Sequence, residues 1–479
     1  MKFLFNKSKL SSLNAQTVLS LVSIFVLDAI TYITNPIFAN LLSTSVYGTV
    51  SLYSSYREII MVVFGLQTLG SISYAAVNYK DKEYDKYCSC ALTLSSISFV
   101  LCSIITIALM NQVGNLLDLP SLLIPFLVMQ SFGNYIVSFN SYRLIYKKKA
   151  GSSALISGIV SLSGTILSII LIFIFKNVWN YDGYWGRIIG VFAPNIIVGT
   201  GLLIFIFTRA KPNFDKRFLK VCLIVSVPMI FHRLGQIFLA RTDIIMINTL
   251  MSGDEGYKKT QVAIYSYAVS MGSVVGVIFN AFNNTWVAFL FDDYKTGNFD
   301  RIRKRSKNYL RLFSALTFGF LMISSEVIRW FVPSDYHYGV YLIPLMVLSS
   351  YFMFVYSFFV NIEIYHAKTL YTMIGTLCAA AINVLLNYLF IKRFGIFGAS
   401  LATVISYSLL IVFHAAICNI KYKQYCIFPI SFFVVEFIIV LIGVGMCYFF
   451  PDSIRSRWPF GFIALFYIIY SIYKRKSIF

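Results

Sequence analysis

Apolar runs long enough to cross a bilayer, about 20 residues each, recur from one end of this 479-residue chain to the other. That feature constrains the fold more than any other. Inside hydrocarbon no water pairs with backbone N–H and C=O groups, so a chain built of such runs must form helices that satisfy their own backbone. Only 12% of the residues are charged, about half the share of a soluble domain. An ordinary soluble enzyme is therefore excluded, and an all-α polytopic membrane protein is expected. The net charge of +21 would suggest nucleic acid in a soluble chain. Here it reads first as the Lys/Arg excess of cytoplasmic loops, and no nucleic-acid partner is expected.

Fourteen spans can be marked, near 15–42, 47–77, 88–110, 117–142, 150–175, 185–208, 219–250, 262–291, 308–332, 339–366, 369–391, 395–418, 427–450 and 459–473. The first is too long for a cleavable signal peptide and lacks a small-residue cleavage pattern. With the N-terminus inside, 28 of the 40 Lys and Arg fall on cytoplasmic segments and 8 on outer ones, Arg187 and Arg457 among the latter. That bias puts both termini in the cytoplasm. Trp179, Trp185, Trp330 and Trp458 then line the outer boundary as an interfacial belt. The longest connection, 292–308, carries RIRKRSK at 301–307. It reads as a cytoplasmic loop lying against the headgroups of membrane lipids rather than a nucleic-acid patch.

Nothing in the chain carries catalytic chemistry. There is no phosphate-binding G-x-x-x-x-G-K-[ST] and no nucleophile motif with its partners. Cys88 and Cys90 form C-x-C with no second pair or nearby His, which is poor zinc spacing. The chain is expected to be no enzyme and to need no cofactor. Energy for transport would come from an H+ or Na+ gradient, or from the substrate gradient itself.

Ionisable groups inside a membrane are costly and normally face a cavity or a partner. In the first span Asp28, Tyr32 and Asn35 share a helical face; in the seventh His232, Gln236 and Asp243 form one stripe, with Arg233 beside it and Arg241 projecting elsewhere. Arg57 and Glu58 are adjacent in the second span and cannot face each other. Arg57, Arg233, Arg241, Tyr32, Asn35 and Gln236 are the candidate substrate-binding residues; Asp28, Asp243 and His232 are the candidates for ion coupling. The structural alternative is that these groups form contacts between helices or reach an interface. Glu326 and Arg329 read as interfacial, and His414 and Glu436 stand isolated. Pro36 and Pro228 lie on the two most polar spans, where a bend could accompany gating or be static.

The chain also repeats itself. LLSTSVYGTVSLYSSY (41–56) has the order of TLMSGDEGYKKTQVAIYSYAVS (249–270): helix end, polar turn, Tyr-Ser-rich helix start. Two six-helix halves, 1–210 and 211–420, with two appended helices at 421–479, fit this pattern. Parallel repeats of this kind are a transporter architecture, with the substrate site expected between the halves.

VPMIFHRLGQIFLARTDIIMINTL (227–250), AIYSYAVSMGSVVGVIFNAFNNTW (263–286), NVLLNYLFIKRFGIFGASLATVIS (383–406) and FGLQTLGSISYAA (64–76) resemble helices of polysaccharide-transport flippases. With the span count, the likeness covers nearly the whole chain. The family is the Wzx-type branch of the multidrug/oligosaccharidyl-lipid/polysaccharide superfamily. The resemblance implies a MATE-like fold in the bacterial inner membrane and flipping of an undecaprenyl-diphosphate-linked glycan for O-antigen or capsule. It also implies a polysaccharide polymerase and a chain-length regulator as partners. No stretch matches a pattern of the lipid II flippases. Two alternatives remain: a cation-coupled multidrug exporter on the same fold, which needs an acidic, aromatic cavity, and a membrane glycosyltransferase or polymerase, which needs carboxylates on a large outer loop.

Overall fold

Helical pairing within each segment is the way a backbone buries its polar groups away from water. The computed structural model describes Ile30 and residues 32–147, 149–366 and 369–475, and among them there is no strand. Helix α1 covers 32–41, α2 Thr44–Phe64, α3 Ser71–Asn78, α4 Asp81–Ala108 and α5 Met110–Leu117. Then follow α6 Leu123–Tyr146, α7 Ala150–Asn177, α8 Tyr184–Arg209, α9 Lys216–Leu250 and α10 Glu255–Lys295. The last five are α11 Phe299–Phe331, α12 Ile343–Tyr365, α13 Thr369–Lys421, α14 Ser431–Phe449 and α15 Ile454–Arg475. Each of the fourteen expected spans carries helix. By length and composition, 9 helices among the described residues can cross a membrane, or 10 if the bent pair at Thr44–Asn78 is one span. The protein is a multi-pass, all-α membrane protein.

Among the described residues one span and one long helix are broken. The second span bends by 65°, where Leu66 and Gln67 take left-handed backbone at φ 51° and 47°. In α13 the break is Gly395, at φ 58° and ψ −140°, a conformation closed to residues with a Cβ. It separates the expected eleventh and twelfth spans. Pro194 and Pro228 lie inside α8 and α9. Pro344 falls in the first turn of α12, where its missing N–H would have had no helical partner.

The 292–308 stretch, expected as a loop, is mostly helix, and only residues 296–298 connect α10 to α11. Gly297 turns the chain at φ 67°, and the Asn298 side chain caps α11 by accepting the Arg301 N–H at 3.2 Å. Arg and Lys favour helix, and here they find partners. Arg305 and Arg301 pair with Asp293 at 2.7 and 3.5 Å, while Lys307 and Arg311 pair with Glu436 at 2.9 and 3.4 Å. Glu436 is thus not isolated.

Arg457 is corrected as well. Instead of standing in an outer loop it is wholly buried. Its guanidinium donates to the Phe450 and Met322 carbonyls at 2.9 and 3.1 Å and to the Glu326 carboxylate. The orphan carbonyls past the end of α14 attract a cation, which draws the first turn of α15 onto α11. Glu326 is therefore half of a buried ion pair rather than interfacial. Arg329 pairs with Asp452.

The chain forms two compact units. The first comprises Leu41–Ile237 with the described residues up to Thr34; the second comprises Asn35–Asn40 and the chain from Phe238 onward. In the first, α8 packs along α7 and α6. Small residues allow the approach: a Cβ on Gly190 would overlap Ser168, and one on Gly133 would overlap the Asn195 backbone. In the second, α12 is buried almost throughout and packs against α10 and α13, while α11 packs against α14 and α15.

Candidate functional site: a cationic cleft and a caged carboxylate

The first unit holds a cleft of about 450 Å³ whose lining includes Arg57 of α2, Asn134, Ser138 and Ser141 of α6, Ser157, Ser161 and Thr165 of α7, and Arg187 and Asn195 of α8. The periodicity of these helices creates it. Ser157, Ser161 and Thr165 stand at i, i+4 and i+8 on α7, and Arg187, Val191 and Asn195 do the same on α8, so each stripe faces one way. The described lining has two guanidiniums, many hydroxyls and amides, and no carboxylate.

Arg57 enters the cleft with its Nε buried and without a hydrogen-bond partner. Arg187 donates to Ser168 Oγ at 3.1 Å, and the two like charges repel one another. The Asn195 Oδ1 is also buried and unpartnered. Two fixed cations beside orphaned polar atoms suit a multivalent anion: a guanidinium offers paired N–H groups in a plane that matches phosphate oxygens.

In the second unit Asp243 is 3% exposed and caged by neutral donors. Tyr265 Oη and Thr403 Oγ1 donate to its Oδ2 at 2.5 and 2.6 Å, and Asn387 Nδ2 donates to Oδ1. The same Nδ2 donates to Asn383 Oδ1 at 2.9 Å. Asn383 Nδ2 and Asn387 Oδ1 have no partner. Turning these amides over would present oxygens beside the carboxylate, an all-oxygen set suited to a hard cation. The cage can hold a proton on Asp243 or a cation among these oxygens.

The other candidates are distributed differently. Arg233 is exposed and donates to Gln236 Oε1 at 2.9 Å; Gln236 Nε2 lies 3.3 Å from His232 Nε2. These three form a local network on α9, and none lines the cleft. The His232, Gln236 and Asp243 stripe is divided, since Asp243 belongs to the other compact unit. Arg241 is half-buried in that second unit. Tyr32 is half-buried, while Asn35 donates to Ser270 Oγ in the second unit. Asp28 lies outside the described residues. Arg187 was missed because it stands near a helix end and was counted with the cations of the outer segments. The polar stripes on α7 and α8 were the signal that would have found it.

The family model described as "Polysaccharide biosynthesis protein" matches residues 13–289. Among solved structures, the lipid II flippase MurJ in an inward closed conformation matches with a TM-score of 0.65 at 15% identity, over 97% of this chain and 99% of that one. An inward-facing multidrug resistance MATE family transporter of the MOP superfamily matches with a TM-score of 0.60 at 16% identity, over 88% of this chain and 95% of that one. The Vibrio cholerae MATE transporter VcmN in its bent form gives 0.51 at 13% identity, over 89% and 97%. At these identities what is shared is the fold, the MATE-like one expected from the sequence. No curated protein sequence matches significantly.

Proposed function

The chain belongs to the polysaccharide biosynthesis protein family, and from that premise we propose that it is a flippase for undecaprenyl-diphosphate-linked oligosaccharide repeat units. It moves them from the inner to the outer leaflet of the bacterial cytoplasmic membrane by alternating access, with both termini in the cytoplasm, to supply a surface polysaccharide such as O-antigen or capsule. The observation that carries this reading is the cleft with Arg57 and Arg187 and no carboxylate in its described lining. A diphosphate leaving water needs charge-assisted hydrogen bonds that lipid cannot offer. The surrounding Ser, Thr and Asn side chains both donate to and accept from sugar hydroxyls.

A multidrug exporter of cations would need the opposite field, because two guanidiniums repel a cationic drug. That a solved structure of this fold is a lipid II flippase supports a lipid-linked substrate. Asp243 in its cage is a coupling site, taking H+ or Na+, and the cycle needs no catalytic group of an enzyme. Reconstitution into liposomes with a polyprenyl-diphosphate-linked oligosaccharide tests this, reading transfer by lectin access to the sugar. A double Arg57→Ala, Arg187→Ala variant that inserts normally yet flips at the wild-type rate would overturn the reading. Transport of cationic dyes without glycan transfer would favour the exporter.

A further inference from the structure

The second unit buries another titratable pair, away from the Asp243 cage. Glu363 stands in the last turn of α12 and His414 in the second half of α13, both 0% exposed. His414 Nδ1 lies 2.7 Å from Glu363 Oε1. Thr372, from the first half of α13, donates to Glu363 Oε2 at 3.1 Å. His414 Nε2 is buried with no partner and lies over Gly375, where a Cβ would come within 2.5 Å of it. The pair therefore sits in a seam of three helical segments, and the Gly395 break lies between the two halves of α13 that contribute to it.

The titratable neighbours are neutral. Tyr356 of α12 meets the imidazole edge-on at 4.9 Å. From the second half of α13, the Cys418 thiol donates to the Phe359 carbonyl at 3.3 Å. From α10, Asn283 accepts from Asn361 of α12 at 3.4 Å, and α14 meets this end of α12 with Phe433. Among the described residues no other ion pair reaches Glu363 or His414.

We propose that Glu363 and His414 form a proton-binding site that exchanges its proton only when the seam between α12 and the halves of α13 opens. The tie to transport rests on the flippase reading; the site itself does not. A closed, dry seam holds one proton between the two groups. With none, a bare carboxylate is buried; with two, a bare imidazolium is buried; either leaves a charge out of water without its counterpart. Once wetted, a free imidazole loses its proton above about pH 6.5 and a free carboxyl above about pH 4.3. Opening therefore neither takes up nor releases a proton between those values. Above about pH 6.5 it releases one, so rising pH favours the open seam, up to about tenfold per pH unit. Bending at Gly395 parts Thr372 and Gly375 from His414 and supplies the opening.

Cys418 is a natural reporter, buried one helical turn beyond His414. The other cysteines are replaced by alanine, and the rate of Cys418 modification is followed in lipid nanodiscs from about pH 5 to 8, in the parent and in Glu363→Gln. Dividing the two rates cancels the chemistry of the thiol. Glu363→Gln leaves a seam that closes with no proton, so it opens as pH falls below about 6.5, the reverse of the parent. The parent-to-variant ratio is expected to rise by about tenfold per pH unit across the range. His414→Gln, which needs its carboxyl protonated to close, should already open further with rising pH at the acidic end of this range, where the parent is still flat. A ratio independent of pH, or a His414→Gln profile that coincides with the parent, overturns the site. In liposomes, flipping by Glu363→Gln should lose its response to a pH gradient. A full response there overturns the coupling role. Normal Cys418 profiles in a protein that flips no glycan would instead overturn the flippase reading and leave the proton site standing.

Discussion

A guanidinium held in a membrane bundle has to be answered by a partner or a ligand, and Arg57 carries a buried Nε with none. Replacing it removes a charged hydrogen-bond donor worth about 1.5–3 kcal/mol. Arg57→Ala and Arg187→Ala are each expected to weaken glycan transfer roughly ten- to a hundredfold while the protein remains abundant in the membrane. Arg57→Lys should restore it in part, because an ammonium keeps the charge but loses the planar fork. Arg233 donates instead to Gln236 on its own helix, so Arg233→Ala should cost much less. Surface glycan measured beside membrane protein levels ranks the three, and an Arg233→Ala defect larger than that of Arg57→Ala would move the binding role out of the cleft. Asp243→Asn keeps the size of the side chain in the cage but removes its charge and turns one acceptor into a donor. Flipping in liposomes should then lose its response to an imposed sodium or pH gradient. An undiminished response to both gradients would remove Asp243 from coupling.

At the scale of the element, turns and caps decide where apolar pattern alone stops. Residues 301–307 look like a loop because they are densely basic, yet helix forms there because Asn298 caps it and Asp293 and Glu436 answer the cations. Those carboxylates are distant in sequence or on another helix, so composition did not disclose them. Gly395 works the other way, through its own backbone. Its φ of 58° with ψ of −140° is closed to other residues, and Gly395→Ala is expected to cost about 1–3 kcal/mol. The detergent-solubilised variant should show a lower apparent melting temperature. An unchanged melting temperature would mean that α13 straightens at no cost and that the break is not a required hinge.

For the whole molecule, orientation in the membrane follows from where lysines and arginines cluster. Arg303 is exposed near the start of α11. Arg303→Cys in a cysteine-free background is expected to react with an impermeant thiol reagent only after cells are permeabilised. Trp179→Cys, beyond the end of α7, should react in intact cells. Labelling of position 303 from outside would invert the topology and take the direction of flipping with it.

Membrane residence, the all-α class and the approximate positions of the described helices were legible in the chain, because solvation of the backbone in lipid leaves a long apolar run no other structure. Arg57 and Asp243 were legible for the same reason, since a charge within such a run is conspicuous by its cost. Which groups meet was not legible. The Asp243 cage draws on Tyr265, Asn387 and Thr403, Arg457 finds Glu326, and His414 finds Glu363. Periodicity assigns a residue to a face of its own helix, but a hydrogen bond depends on rotation, depth and distance between two helices. Those quantities are set by packing along the whole length of each pair, so only the tertiary structure could turn lone polar residues into a cleft, a cage and a buried pair.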